Sequence, residues 1–81
     1  MEQRTRKPPA DIPISQRLGR NIRLLRAERG WSQEVLAELA GLHRNYIGHV
    51  ERGEFNISIT QLVKIARAFG VRLGVLVDNL L

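Results

Sequence analysis

The chain has 81 residues, room for one domain near the lower size limit for a self-sufficient hydrophobic core. It has no cysteine, which excludes disulfide and thiolate–metal staples and leaves close helix packing or oligomerisation to stabilise it. Thirteen Lys and Arg against eight Asp and Glu give +5, and eleven of the thirteen are arginine, whose planar fork pairs bidentately with phosphate and guanine edges. A polyanion partner is expected, nucleic acid foremost. No apolar run approaches the roughly 20 residues of a membrane span, and the polar start MEQRTRK lacks a signal-peptide core. A soluble, cytoplasmic protein without a membrane partner is the expectation.

Residues 1–13, MEQRTRKPPADIP, hold Arg4, Arg6, Lys7 and three prolines. Such a stretch buries little apolar surface and is expected to be a flexible basic arm. It is either a leader without function or an arm lying along DNA. Residues 14–81 read as one helical domain. Leu18, Ile22 and Leu25 fall on one face of a first helix, which Ser15 is placed to cap and Gly30 to end. Trp31 follows as a packing lid. Ser32 caps a second helix with Gln33 and Glu34 in its first turn and Leu36, Ala37 and Ala40 on its buried side; Gly41 stops it.

A third helix runs from about Arg44 to Arg52, with Leu42, Ile47 and Val50 facing inward and Gly53 at its end. After the loop EFN, Ser58 and Gln61 form an S-x-x-Q capping box, and Ile57 with Leu62 a hydrophobic staple. Leu62, Ile65, Ala66 and Phe69 line one side of a fourth helix, closed by Gly70. In the tail VRLGVLVDNLL, the residues Leu73, Leu76, Val77 and Leu80 fit a helical stripe. A fifth short helix is expected rather than a strand, and its apolar excess points to a dimer interface or to closure of the core. The fold class is all-α, a compact bundle of about five short helices.

The second and third helices together, SQEVLAELAGLHRNYIGHVERG, have the helix-turn-helix arrangement. Ala37 and Ala40 are small where the helices cross, and Gly41 sits at the corner. On the third helix Arg44, Asn45, Gly48, His49 and Arg52 share the side opposite Ile47 and Val50, the side that would meet a major groove. Arginine can fork onto guanine and asparagine can pair with adenine, each worth about 1–3 kcal/mol of discrimination.

From about Leu18 to Leu76 the sequence resembles the Xre/Cro-type helix-turn-helix family of phage-repressor-like regulators. The segments IRLLRAERGWSQEVLAELAG, YIGHVERG and LVKIARAFGV carry the resemblance. The run HRNYIGHVERGEFNIS is similar to the controller proteins of restriction–modification systems, which are small and dimeric and lack an effector domain. The resemblance implies that Arg44 and Asn45 read bases, with Gly48 and His49 one turn further on. It implies backbone contacts from Gln33, Tyr46, Arg52 and Asn56, and a structural salt bridge between Arg26 and Glu51.

Three positions depart from the family. His43 stands where Ser, Thr or Asp usually caps the third helix, and is expected to cost some stability or to contact DNA. Gly48 costs about 1 kcal/mol relative to Ala inside a helix, and either allows close approach to DNA or leaves a reading position empty. Val35 and Leu39 are apolar where the family is often polar, and are expected to pack beneath Trp31 or Ile59 or else to form a partner patch.

No arrangement for catalysis is legible. His43 and His49 are not spaced as a metal pair, and no Gly-rich phosphate loop exists. No enzyme activity, cofactor, metal or small-molecule ligand is expected. The expected function is a sequence-specific, double-stranded DNA-binding transcription regulator acting as a homodimer through Leu73, Leu76, Val77 and Leu80. Its operator would be palindromic, with half-sites about one turn (~10 bp) or a multiple of it apart. The alternative is a protein-interaction module, an antitoxin or antirepressor, on the same fold.

Overall fold

Apolar side chains spaced three and four residues apart put one stripe on each segment, and five helices bury those stripes against one another. A computed structural model describes residues 12–80. The helices are α1 (Ile14–Glu28), α2 (Gln33–Ala40), α3 (Arg44–Glu51), α4 (Ile59–Phe69) and α5 (Leu73–Val77), with no strand among the described residues. Of the expected arm, only Ile12 and Pro13 are described; residues 1–11 lie outside the described residues, as does Leu81.

Each helix sends one fully buried side chain to the centre: Ile22, Leu36, Ile47, Ile65 and Leu76. Around them α1 packs on α3 and α5, α2 on α3 and α4, and α4 on α5. Thus α3 is held chiefly between α1 and α2. The α1–α3 crossing is close because α1 has no side chain at Gly19. A Cβ there would lie 2.5 Å from the carbonyl oxygens of both Val50 and Glu51.

Ser15 does not cap α1. Pro13 takes the N-cap position, and its carbonyl accepts from the amides of Gln16 at 3.0 Å and Arg17 at 3.1 Å. Proline needs no donor there and its φ is already set. The Ser15 hydroxyl instead donates to the carbonyl of Gly53 at 3.1 Å, tying the start of α1 to the exit of α3. At α4, Ser58 Oγ accepts from the Gln61 amide at 3.2 Å, but the reciprocal half of the capping box is not made. Gln61 Oε1 is buried without a partner among the described residues.

Trp31 is indeed a lid. Its ring stacks on Phe69 of α4 with centroids 5.3 Å apart and planes 4° from parallel. The Arg29 guanidinium sits 5.4 Å from both ring centroids and donates to the Phe69 carbonyl at 2.8 Å. Val35 and Leu39 do not pack beneath Trp31 or Ile59. Val35 is 38% exposed, Leu39 55% and Ile59 63%, so none of the three is covered.

The C-terminal segment also departs from expectation. Leu76, assigned to a dimer interface, is 1% exposed and belongs to the protomer's own core; Leu73 and Leu80 pack against that core. Of the expected interface set, only Val77 ranks among the exposed large apolar side chains, joined by Val75 at 48%. Asn21 Nδ2 donates to the carbonyls of Leu76 at 2.9 Å and Asp78 at 3.2 Å, and Arg17 Nη1 to that of Leu80 at 2.8 Å. Leu76 thus closes the core of its own protomer.

Replacing Gly19 by Ala should destabilise the fold although alanine is the better helix former by about 1 kcal/mol. The added methyl would press on two backbone carbonyls, and forced overpacking costs about 1–3 kcal/mol. Urea unfolding should show a lowered midpoint for Gly19→Ala; an unchanged or raised midpoint would mean that the crossing has slack.

Candidate nucleic-acid interface

The corner between α2 and α3 is built by backbone chemistry. Ser32 Oγ accepts from the Val35 amide at 3.1 Å to start α2. At its end Gly41 takes φ 70° and ψ 34°, a left-handed conformation that a side chain would strain. That geometry lets the Leu42 amide close back on the Ala37 carbonyl at 2.9 Å and turns the chain. His43 then does cap α3: its Nδ1 accepts from the Asn45 amide at 3.1 Å. An imidazole nitrogen lacking its proton has the lone pair that a Ser or Asp oxygen would supply.

On α3, Ile47 and Val50 face the core while Arg44, Asn45, His49 and the C-cap residue Arg52 are exposed. A recess of about 210 Å³ is lined by Gln33, Glu34, Arg44, Asn45, Gly48, His49 and Arg52. All four residues expected to read bases are thus on one surface, together with Gln33 and Arg52. Tyr46 and Asn56 do not line it. Tyr46 is half-buried, its ring 5.2 Å from that of Phe55, and burial pushes its phenol pKa up, so it stays a neutral donor. Asn56 is exposed in the loop after α3.

Beneath the recess lies Glu51, whose side chain is 2% exposed. Arg26 Nε and Nη2 donate to its two oxygens at 2.7 and 3.0 Å, and Arg26 Nη1 donates to the Trp31 carbonyl at 2.8 Å. Arg26 is therefore structural and off the outer face. Gln33 Nε2 adds a third donor to Glu51 at 3.0 Å, which leaves its second amide hydrogen free for phosphate. Breaking a buried pair of this kind costs about 3–5 kcal/mol, because the remaining charge stays buried.

The outer cations carry carboxylate partners that the linear pattern did not reveal. Arg44 Nη1 donates to Glu34 Oε2 at 2.7 Å, and Arg52 Nε to Glu54 Oε2 at 2.7 Å. His49 Nδ1 lies 2.5 Å from Glu54 Oε1, which places the proton on that nitrogen. The approach of Arg52 Nη2 to the same nitrogen, at 3.3 Å, is then not a hydrogen bond. Arg52, and His49 after it, hold the Glu54 carboxyl at about 2. Arg44 likewise lowers that of Glu34.

Arg20 and Arg23 line a second recess, of about 350 Å³, with Ile12, Gln16, Glu51 and Arg52. Because Arg52 borders both recesses, the basic surface continues from α3 onto α1. Among the described residues no group of three or more His, Cys, Asp or Glu could hold a metal ion.

A short helix ending at a glycine corner, followed by a second helix whose outward face carries Arg44, Asn45 and His49, defines a helix-turn-helix module. The chain belongs to the helix-turn-helix family, whose model matches residues 22–76. It is 47% identical over 64 residues to the control protein C.SmaI of Serratia marcescens, covering 75% of this chain and 76% of that protein. It is 45% identical over 67 residues to a Neisseria hypothetical transcription factor from Neisseria meningitidis serogroup B, covering 78% of this chain but only 63% of the relative's length. The structure of the restriction–modification controller protein C.Esp1396I, a tetramer in complex with its natural 35 base-pair operator, matches with a TM-score of 0.75. That match has 31% identity and covers 83% of this chain and 88% of the other. The resemblance carried by the motifs is borne out.

Two outcomes test this surface. The Glu54 carboxyl should titrate near 2, against an ordinary 4.5. Its folded-state value is lowered, so the Arg52 pair contributes above pH 4.5 and is lost as pH falls through about 2. Carboxyl NMR should show Arg52→Ala moving the midpoint back toward 4.5; no movement would mean that the pair is not made in solution. At Gly48, a Cβ would meet only the flexible ends of Arg52, at 3.2 Å, and Gln33, at 3.6 Å. Gly48→Ala should therefore raise thermal stability, by up to about 1 kcal/mol, while weakening DNA binding in a gel-shift assay. Stronger binding would show that close approach at Gly48 is not needed.

Proposed function

We propose that this protein is a sequence-specific double-stranded DNA-binding transcription regulator of the controller-protein kind, acting as a homodimer on a palindromic operator. The observation that carries this is the single recess that gathers Arg44, Asn45, Gly48 and His49 from α3 with Gln33 from the start of α2. Arg44 and Asn45 would meet base edges from the first turn of α3, and His49 one turn on. Gln33, Tyr46, Arg52 and Asn56 would contact the sugar–phosphate backbone, with Arg20 and Arg23 extending that track along α1. The relationship to C.SmaI and the operator complex of C.Esp1396I support the reading. No helix is long and apolar enough to cross a membrane among the described residues, and we place the site of action in the cytoplasm. No catalytic step, cofactor or small-molecule effector enters the proposal.

With Leu76 taken by the core, the exposed Val75 and Val77 are the apolar groups of the C-terminal segment available to a second copy. Two third helices would then enter successive major grooves, and half-sites would lie about 10 bp, or a multiple of it, apart. The rival reading, an antitoxin-like interaction module, draws on the exposed Leu39 and Ile59.

Selection of bound fragments from genomic DNA at two salt concentrations separates them. Wild type should enrich a short palindrome that survives the higher salt, and Arg44→Ala should lose it, at a cost of about 1–3 kcal/mol of discrimination. Sedimentation of the enriched complex should show two chains or a multiple of two. If both proteins bind every fragment weakly and salt removes all of it, only non-specific phosphate binding remains and the interaction reading stands.

A further inference from the structure

Arg44 is the first residue of α3, so its cation sits at the positive end of its own helix dipole, where it is disfavoured. Glu34, in the first turn of α2, sits at the positive end of the other helix, where a carboxylate is favoured. The corner at Gly41 brings the two together at 2.7 Å. Their side chains are 62% and 60% exposed, so the pair contributes little to folding stability. Yet Glu34 lines the same recess as the expected base-reading residues. A carboxylate on a surface facing a polyanion opposes phosphate binding on every sequence alike.

Glu34 engages only one edge of the guanidinium. Arg44 Nη1 takes the carboxylate, while Nε and Nη2 make no hydrogen bond to the described residues. Those two N–H groups form a complete fork of the kind that matches guanine O6 and N7. A free arginine carries large rotamer freedom that binding must remove, and holding it beforehand reduces that loss.

We propose that Glu34 is a positioning residue for base reading: its carboxylate fixes the Nη1 side of Arg44, presents the Nε–Nη2 edge to guanine and keeps the cation off phosphates. This rests on the reading of α3 as the DNA-reading helix. Orientation helps only at sites with guanine in the right place, whereas repulsion acts everywhere, so both effects raise specificity at the expense of non-specific affinity. The competing role for a carboxylate here is direct acceptance from cytosine N4, which would not depend on Arg44.

A double-mutant cycle tests it. Dissociation constants are measured for wild type, Glu34→Gln, Arg44→Ala and the double variant. The DNAs are the enriched fragment, the same fragment changed at a base pair that wild type distinguishes and at which Arg44→Ala lowers the discrimination without abolishing it, and an unrelated duplex. Glu34→Gln should bind the unrelated duplex about two- to five-fold tighter and lose discrimination at that base pair by a similar factor, the range of an exposed ion pair. In the Arg44→Ala background the same substitution should change discrimination by less than about two-fold, as coupled sites require. Unchanged discrimination in Glu34→Gln overturns the proposal, and so does a loss that persists when Arg44 is absent. If wild type itself distinguishes no sequence, the DNA-reading function fails first, and that is visible before any variant is compared.

Discussion

The buried Glu51 carboxylate is the contact on which the rest of the molecule depends. It lies at the end of α3 and takes two hydrogen bonds from Arg26 of α1 and one from Gln33 of α2. Arg26 extends the network to the Trp31 carbonyl, and Trp31 stacks on Phe69 of α4. Four helices are therefore registered against one charged group. Ionised carboxylates are expensive to bury, and three donors in good geometry offset that cost. Generic apolar packing would allow α3 to slide or rotate between its neighbours. Directional bonds to Glu51, with Gly19 pressed on the carbonyls of Val50 and Glu51, allow one placement.

That rigidity sits behind a surface of a different character. Arg44, His49 and Arg52 are exposed and paired with Glu34 or Glu54, in contacts that water and salt can exchange. In the free protein Glu54 occupies Arg52, a cation that a phosphate would take, while Glu34 leaves the Nε–Nη2 edge of Arg44 open. Binding then trades one anionic partner for another on a scaffold that need not move. Such a surface should bind unspecific phosphate less tightly than +5 alone would imply, which favours discrimination over raw affinity.

Much of the fold was legible because its signals are local. Ser32 and Ser58 cap helices for reasons contained within three residues, and Gly41 and Gly70 end them because φ near 70° strains a residue that has a side chain. Apolar spacing was enough to find Leu36, Ile47 and Ile65 in the core. Where the reading failed, the deciding partner was distant. Ser15 turned from its own helix to the Gly53 carbonyl 38 residues away. His43 is the local exception: its residue type is rarely a cap, yet its nitrogen reaches the Asn45 amide two residues on. Leu76 had the pattern of an interface residue, but whether an apolar stripe faces its own core or a partner depends on what packs across it.

The sequence by itself determined the helices, the corner between α2 and α3, and the residue types on the outward side of α3, because each follows from chemistry within one or two turns. Only the tertiary structure decided which charges pair across that corner, that α1 lends Arg20 and Arg23 to the basic surface, and that Leu76 is spent on the core. Those outcomes depend on distances between segments remote in the chain, and periodicity carries no information about such distances.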